Sequence, residues 1–277
     1  MSIPWQYRIA VLLPCYNEAS SIANVVAAFK GALPMADVYV YDNNSVDNTA
    51  EEALRAGAIV RREPNRGKGN VVRRMFSDIE ADIYVMADGD ETYDPTVAPE
   101  LIRKLIEEHL DMVVGSRVAT DAQAYRLGHK FGNRMLTSLV KFLFGYGFED
   151  ILSGYRVMSR RFIKSFPIHS HGFEIETEMS VHALQLGLPV AEVPTKYGVR
   201  PDDSQSKLRT YRDGFRILFT IISLLTTERP RFFYGLMALP LTLLSFGLAM
   251  PIFYDYHITG KVRRFPTAFF CLGLGCV

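Results

Sequence analysis

The stretch "DIYVMADGDETYDP" (residues 82–95) joins a short apolar run to a cluster of acidic side chains. Its first half is rich in large apolar residues and stops at a turn-forming Asp-Gly step, which predicts a buried β-strand. Asp88, Asp90, Glu91 and Asp94 then stand at the carboxyl end of that strand. In an open parallel sheet that edge is where ligands bind, and carboxylates crowded into one loop repel one another unless a cation offsets them. A solvated acidic loop is the other reading of an isolated D-x-D, so the rest of the chain has to decide.

Outward from this stretch, apolar runs recur at "RIAVLL" (8–13), "DVYVYD" (37–42), "AIVRRE" (58–63) and "DMVVGSR" (111–117). Between most of them lie segments of helical periodicity: "SIANVVAAF", "NTAEEALRAG", "GNVVRRMFSDI" and "APELIRKLIEEHL". Such alternation predicts an α/β fold, a mostly parallel sheet with helices on both faces, as in nucleotide-binding proteins. The common nucleotide motifs are nevertheless missing. The first strand runs into "PCYNEAS" without G-x-G-x-x-G, and "NRGKGN" (65–70) lacks the spacing and the Ser or Thr of a P-loop. Hydride transfer and NTPase activity both lose ground.

Bulk charge excludes one partner class. Lys plus Arg number 31 against 30 Asp plus Glu in 277 residues, so no overall basic field argues for nucleic acid. Cys15, Cys271 and Cys276 form no disulfide framework, and no signal core opens the chain, so the main body is expected in a reducing cytosol.

The other end of the chain is different. "FFYGLMALPLTLLSFGLAMPIFY" (232–254) carries no charge and exceeds the ~20 residues that cross a bilayer. Its Pro240 and Pro251 are tolerated in membrane helices. A second run, "FPTAFFCLGLGCV" (265–277), is too short to span and reads as the start of a second membrane helix. Basic residues flank the first span on both sides, which leaves its orientation open on charge alone. Upstream, "KLRTYRDGFRILFTIISLL" (207–225) has the mixture of a helix lying along the headgroups, with a core-packed helix as the alternative. The expected division is a catalytic domain over 1–204, a juxtamembrane amphipathic helix over 205–230 and a membrane segment over 231–277.

The loops after the first two strands add chemistry. "LPCYNEAS" (13–20) offers the ring of Tyr16, the amide of Asn17 and the carboxylate of Glu18, which suit a base and a ribose, behind a strand exit stiffened by Pro14. A turn with helix-capping residues is the plainer alternative. "YDNNSVDNT" (41–49) places Asp42 at another strand end, ahead of residues suited to cap the next helix. These loops and the acidic loop are expected to converge on one crevice.

"LPCYNEA", "YDNNSVDNT", "NRGKGN", "ADGDETYDP" and "VVGSR", in this order, resemble the donor-binding half of a family 2 glycosyltransferase with a GT-A fold. "DILSGYRVMSRRF" (150–162), "GFEIETEM" (172–179) and "YGVRPDDSQSKLRTYRDG" (197–214), followed by a membrane span, resemble the polyprenyl-phosphate glycosyltransferases, which include the dolichol-phosphate mannose synthases. The resemblance implies donor contacts from Pro14, Tyr16, Asn17, Glu18 and Asp42, with Lys68, Gly89 and Lys207 also on the donor side. It makes Asp88 and Asp90 the D-x-D pair, holding Mg²⁺ or Mn²⁺ against the diphosphate. Some relatives place a further ligand, a glutamine, where this chain has Thr92, with Glu91 and Asp94 as nearby substitutes.

Arg117, Arg134 and Arg200 are expected near the acceptor phosphate, since guanidinium groups clasp phosphate oxygens bidentately. Arg156 is expected to form a surface ion pair. Glu174, Glu176 and Glu178 read as a solvated acidic stripe, although the resemblance suggests an active-site role for Glu174. His169 and His171 read as loop residues.

The implied activity is sugar transfer, with inversion, from a nucleotide sugar to an undecaprenyl or dolichyl phosphate by a catalytic domain facing the cytoplasm. A family 2 glycosyltransferase with a glycolipid or polysaccharide acceptor is the alternative, and an inactive membrane scaffold a third. Processive synthases of similar fold carry Q-x-x-R-W, whereas Trp5 is the single tryptophan here. The residues leave the sugar and the base open.

Overall fold

The computed structural model describes residues 7–119, 127–145, 148–198, 210–262, 266, 267 and 269. The chain divides into two compact units, Met1–Ile221 and Ile222–Val277.

The first unit is built on a seven-stranded sheet: β1 (Ile9–Cys15), β2 (Asp37–Asp42), β3 (Ile59–Arg62), β4 (Ile83–Met86), β5 (Met112–Ala119), β6 (Arg156–Ser159) and β7 (Val190–Tyr197), in the order β3-β2-β1-β4-β6-β5-β7. Pairing is parallel except where β6 meets β4 and β5. Helices α1 (Ile22–Ala32), α2 (Thr49–Arg55), α3 (Lys68–Asp78) and α4 (Ala98–Glu107) form the crossovers that join β1 to β5 in turn, as strands running in one direction require. The apolar runs and helical segments of the first half all appear, and the expected mostly parallel α/β sheet is the observed one.

Side chains alternate across the sheet, so buried neighbours along one strand report cover on both faces. Val11, Leu13, Val40 and Val85 join Ile22, Val26 and Phe29 of α1 and Leu101, Ile102 and Leu105 of α4 in one core. Leu12, Tyr84 and Met86, on the alternate positions, are also fully buried. Strand β4 is buried at all four positions, and that is why it reads as an unbroken apolar run.

The second half was less legible. Helices α5 (Leu127–Phe144), α6 (Arg160–Ser165) and α7 (Ile175–Gln185) accompany β6 and β7. β6 has only four residues and begins with a charged Arg156, and α7 begins among glutamates, so neither carries a strong periodic signal.

The division between units falls within α8 (Thr210–Glu228), whose Phe215, Phe219 and Ile222 are exposed while Ile217, Ile221 and Leu225 are buried. In the second unit α9 (Pro230–Thr259) is 30 residues long, encloses Pro240 and Pro251, and ends on Gly260 in the left-handed conformation. With a mean hydropathy of 2.0 over its most apolar window and none of that window buried, it is a candidate membrane span by length and composition. The run from 265 to 277 lies largely outside the described residues.

Candidate active site

The loops after β1, β2 and β4 are tied to one another. Asn17, at φ +52°, donates its N–H to Ser45 Oγ (2.9 Å) and accepts at Oδ1 from the Val46 N–H (2.9 Å). The N–H of Glu18, a buried residue, donates to Thr49 Oγ1 at 2.8 Å. Ser21 stands at the start of α1 but does not cap it; its hydroxyl donates to the carbonyl of Gly89 in the acidic loop at 2.7 Å. Asp42 is buried and accepts the Ser45 N–H at 3.2 Å, and Pro14 lies opposite Tyr41 in the sheet. The Arg66 guanidinium sits over the ring of Tyr16, 5.8 Å from its centroid.

Asn43, read from sequence as a helix-capping residue, serves a different purpose. Its Nδ2 donates to the carbonyls of Glu63 (2.9 Å) and Asn65 (2.7 Å), and its Oδ1 accepts the Gly67 N–H at 2.7 Å. It thereby fastens the turn that presents Lys68.

Lys68 is the electrostatic centre of the site. Its ammonium lies 2.5 Å from Asp88 Oδ1 and 2.5 Å from Glu176 Oε1, with 9% of the side chain exposed. Burial acts against a charged lysine, but the two carboxylates outweigh it and hold the pKa above its ordinary value. Burial pushes the Glu176 carboxyl up, and the Lys68 ammonium opposes that shift. Glu176 Oε2 is buried and has no hydrogen-bond partner.

The solvated stripe expected over Glu174, Glu176 and Glu178 is therefore a correction: all three are buried. Glu178 accepts the N–H groups of His169 (2.8 Å) and Ser170 (2.9 Å), and Glu174 those of His171 (3.2 Å) and Gly172 (3.0 Å). Backbone donors thus meet the Glu174 and Glu178 carboxylates. The strap they hold lies against the start of α3, where the His171 carbonyl accepts the Gly69 N–H at 3.1 Å. His169 and His171 are exposed loop residues, as expected.

In the acidic loop Asp90 is only 2% exposed, and its Oδ1 accepts both the N–H (3.3 Å) and the hydroxyl (2.5 Å) of Thr92. Thr92 thus orients Asp90. Asp94 is engaged in capping the 3-10 turn at Pro95–Val97. A Cβ on Gly154 would stand 2.9 Å from Asp88 Oδ2, so a glycine leaves that carboxylate room. Two carboxylates spaced by one residue, one of them partly exposed, are hard oxygen donors that fit Mg²⁺ or Mn²⁺. Among the described residues no group of three or more His, Cys, Asp or Glu is preassembled as a metal site.

A second charged cluster lies at the end of β5. Asp150 takes Arg117 side-on and also accepts from Asn133 Nδ2 at 2.9 Å, while Glu192 receives the N–H groups of Glu149 (2.7 Å) and Asp150 (3.0 Å). The Arg117 guanidinium also lies over the Tyr197 ring, at 5.5 Å. Tyr197 pairs with Tyr93 of the acidic loop, and Tyr93 and Tyr155 pack ring to ring at 5.3 Å. Arg134, next to Asn133 on α5, is exposed. Arg200 and Lys207 lie outside the described residues.

Arg156 departs from expectation. It is fully buried and forms no surface ion pair; its guanidinium donates to the carbonyls of Ser153 (2.9 Å) and Ile151 (2.8 Å) and to Ser180 Oγ (3.0 Å). Burial lowers its pKa to about 10. It braces the loop carrying Gly154 against α7. Asp150 and Glu176 went unnoticed as site residues because each stands in a motif whose carboxylates, without coordinates, read as solvated.

The family described as Glycosyl transferase family 2 matches residues 10–166, which span the carboxyl ends of β1, β2, β4 and β5. The chain belongs to glycosyl transferase family 2. This glycosyltransferase is 37% identical over 259 residues to glycosyltransferase AglJ of Haloferax volcanii, covering 92% of this chain and 84% of that protein. It is 26% identical over 223 residues to a dolichyl-phosphate hexose transferase of the same organism, covering 80% of this chain and 96% of that one. Among solved structures it resembles glucosyl-3-phosphoglycerate synthase of M. tuberculosis, with a TM-score of 0.65 and 25% identity over 79% of this chain and 80% of that one. The GT-A architecture and the likeness to polyprenyl-phosphate glycosyltransferases read from the sequence are thereby borne out.

Proposed function

We propose that this glycosyltransferase moves a sugar, with inversion at the anomeric carbon, from a nucleoside-diphosphate sugar to a polyprenyl phosphate at the cytosolic face of a membrane. The observation that carries the reading is the acidic loop: Asp88 and Asp90 stand at the end of β4, tied to the loop of β1 through Ser21 and linked through Tyr93 and Tyr197 to the Arg117–Asp150 pair. The likeness to a dolichyl-phosphate hexose transferase and the candidate span α9 support a lipid acceptor.

In this reading Pro14, Tyr16, Asn17, Glu18 and Asp42 form the nucleoside side, with the Tyr16 ring as the stacking surface. Asp88 and Asp90, with the Gly89 backbone between them, would hold Mg²⁺ or Mn²⁺. Such an ion would supply charge neutralisation for the departing diphosphate. Lys68, beside Asp88, adds a fixed positive charge on the donor side, where Lys207 would join it. Arg117, Arg134 and Arg200 receive the acceptor phosphate, with Arg117 oriented by Asp150. A phosphate monoester has a second pKa near ~6, so at neutral pH the acceptor oxygen is already ionised and needs no strong general base. The protein's work is positioning and bringing two anionic groups together. The stripe of Phe215, Phe219 and Ile222 on α8 gives the segment before α9 an apolar face suited to the lipid headgroup boundary.

The test is sugar transfer from a panel of radiolabelled nucleotide sugars to undecaprenyl or dolichyl phosphate, with Mg²⁺ or Mn²⁺, in wild type and Asp90→Ala. A metal-dependent, organic-extractable product that disappears in the variant is the expected result. Folded protein that binds a nucleotide sugar but never labels a prenyl phosphate would transfer the assignment to a glycolipid or polysaccharide acceptor.

A further inference from the structure

We propose that Lys68 stands in for the divalent cation and that Glu176 is its second berth, so that the ammonium leaves Asp88 for Glu176 as the cation enters. The inference rests on the metal reading of Asp88 and Asp90 above.

Three observations meet here. The Lys68 ammonium is shared between Asp88 Oδ1 and Glu176 Oε1 at the same distance of 2.5 Å, so it bridges the acidic loop and the start of α7. The far oxygen of Glu176 is buried and has no hydrogen-bond partner, an arrangement that costs free energy unless it is filled in another state of the site. The backbone around both ends is fixed: Glu174 and Glu178 hold residues 169–172 against Gly67 and Gly69, and Asn43 holds the Gly67 N–H. Exchange between the two carboxylates is therefore a movement of the flexible lysine side chain and not of the fold.

Charge repulsion gives the exchange its direction, because a dication and the Lys68 ammonium would compete for the Asp88 carboxylate. A dication at Asp88 repels an ammonium placed beside it, and an ion pair made by that ammonium with both oxygens of Glu176 relieves the repulsion without exposing a charge to the interior. Glu176 is thus a positioning residue acting through Lys68. Without it, cation entry would leave the buried Lys68 ammonium beside a metal ion with no carboxylate of its own.

The experiment measures Mn²⁺ alone binding to the full chain in detergent micelles, by the electron paramagnetic resonance signal of free Mn²⁺, in wild type, Asp88→Ala, Glu176→Gln, Lys68→Met and the double variant Lys68→Met with Glu176→Gln. Glu176→Gln is expected to weaken Mn²⁺ binding by about tenfold, and Lys68→Met to strengthen it, because the competitor for Asp88 is gone. In the Lys68→Met background the Glu176→Gln change is expected to matter by no more than about twofold. An equal weakening in both backgrounds would make Glu176 a direct ligand and overturn the proposal. So would unchanged binding in Glu176→Gln when Asp88→Ala abolishes it. Wild-type binding that Asp88→Ala leaves intact would overturn the metal reading itself, and this inference with it.

Discussion

Arg117 meets Asp150 in a side-on, two-bond pairing, Nε to Oδ2 at 2.7 Å and Nη2 to Oδ1 at 2.8 Å, with the side chains 15% and 7% exposed. Bidentate pairs of this kind fix a guanidinium in direction as well as in place. Arg117 belongs to β5 and Asp150 to the loop before β6, so the pair also ties adjacent strands together where the proposed acceptor phosphate would arrive.

Removing Asp150 should cost more than the ion pair is worth, because Arg117 would be left charged in a poorly solvated place. Breaking a buried pair from one side costs about 3–5 kcal/mol. Asp150→Ala is therefore expected to lower the melting temperature strongly and to abolish transfer. A paired replacement, Arg117→Met with Asp150→Leu, should recover much of the stability and none of the activity. Equal melting of Asp150→Ala and wild type in detergent would refute the coupling.

The same pair sets a pH dependence. Burial would raise the Asp150 carboxyl, but the Arg117 guanidinium and the Asn133 amide outweigh it and hold its pKa below the ordinary carboxylate range. A carboxyl depressed in the folded state contributes stability that is fully present above its unfolded pKa of about 3.9 and is lost as pH falls through the folded value. Wild type should thus lose melting temperature progressively below about pH 4, and Asp150→Asn should show a shallower acid slope. Parallel slopes for the two proteins would place the acid sensitivity elsewhere.

What the sequence disclosed divides along a physical line. β1 to β5 and α1 to α4 were legible because burial imprints apolar runs or 3.6-residue periodicity, and the placement of Asp42, Asp88 and Asp90 at strand ends was legible with them. Glu176 and Arg156 were misread, since a charged residue that finds its partner far along the chain has the same sequence signature as one facing water. Lys68 to Glu176 spans 108 positions (176 − 68), and no local pattern encodes that contact. Glu174 was suspected from the family resemblance, yet its observed contacts are to backbone N–H groups of the strap and not to a crevice opening.

The strap over α3 gives a stability prediction that also reads on activity. A Cβ on Gly69 would sit 2.2 Å from the Ser170 carbonyl oxygen and 2.9 Å from the His171 carbonyl carbon. Both neighbours are backbone held by Glu178 and Glu174, so neither can yield as a side-chain tip would. Gly69→Ala is expected to cost about 1–3 kcal/mol by overpacking and to reduce kcat by shifting Lys68, the adjacent residue. Gly132→Ala, inside α5 where nothing lies within 4 Å of the added Cβ, is the control and should melt at or slightly above wild type, since alanine favours a helix interior over glycine. If both substitutions behave alike, the strap does not constrain the site.

Arg156 provides the sharpest separation of charge from geometry. Its three oxygen acceptors are two carbonyls of the loop before β6 and one hydroxyl of α7, none of them anionic, so the planar fork matters more than the charge. Lysine would retain the charge but cannot present the fork. Methionine would remove the burial cost of the charge but strand the carbonyls of Ile151 and Ser153, at about 1–3 kcal/mol for each unsatisfied group. Both Arg156→Lys and Arg156→Met are thus expected to destabilise the protein, and both should loosen the loop that sets Gly154 against Asp88. Hydrogen exchange of the 151–155 amides would reveal this directly: faster exchange in both variants is the expected outcome, and full protection in Arg156→Lys would mean that charge, not the fork, holds the loop.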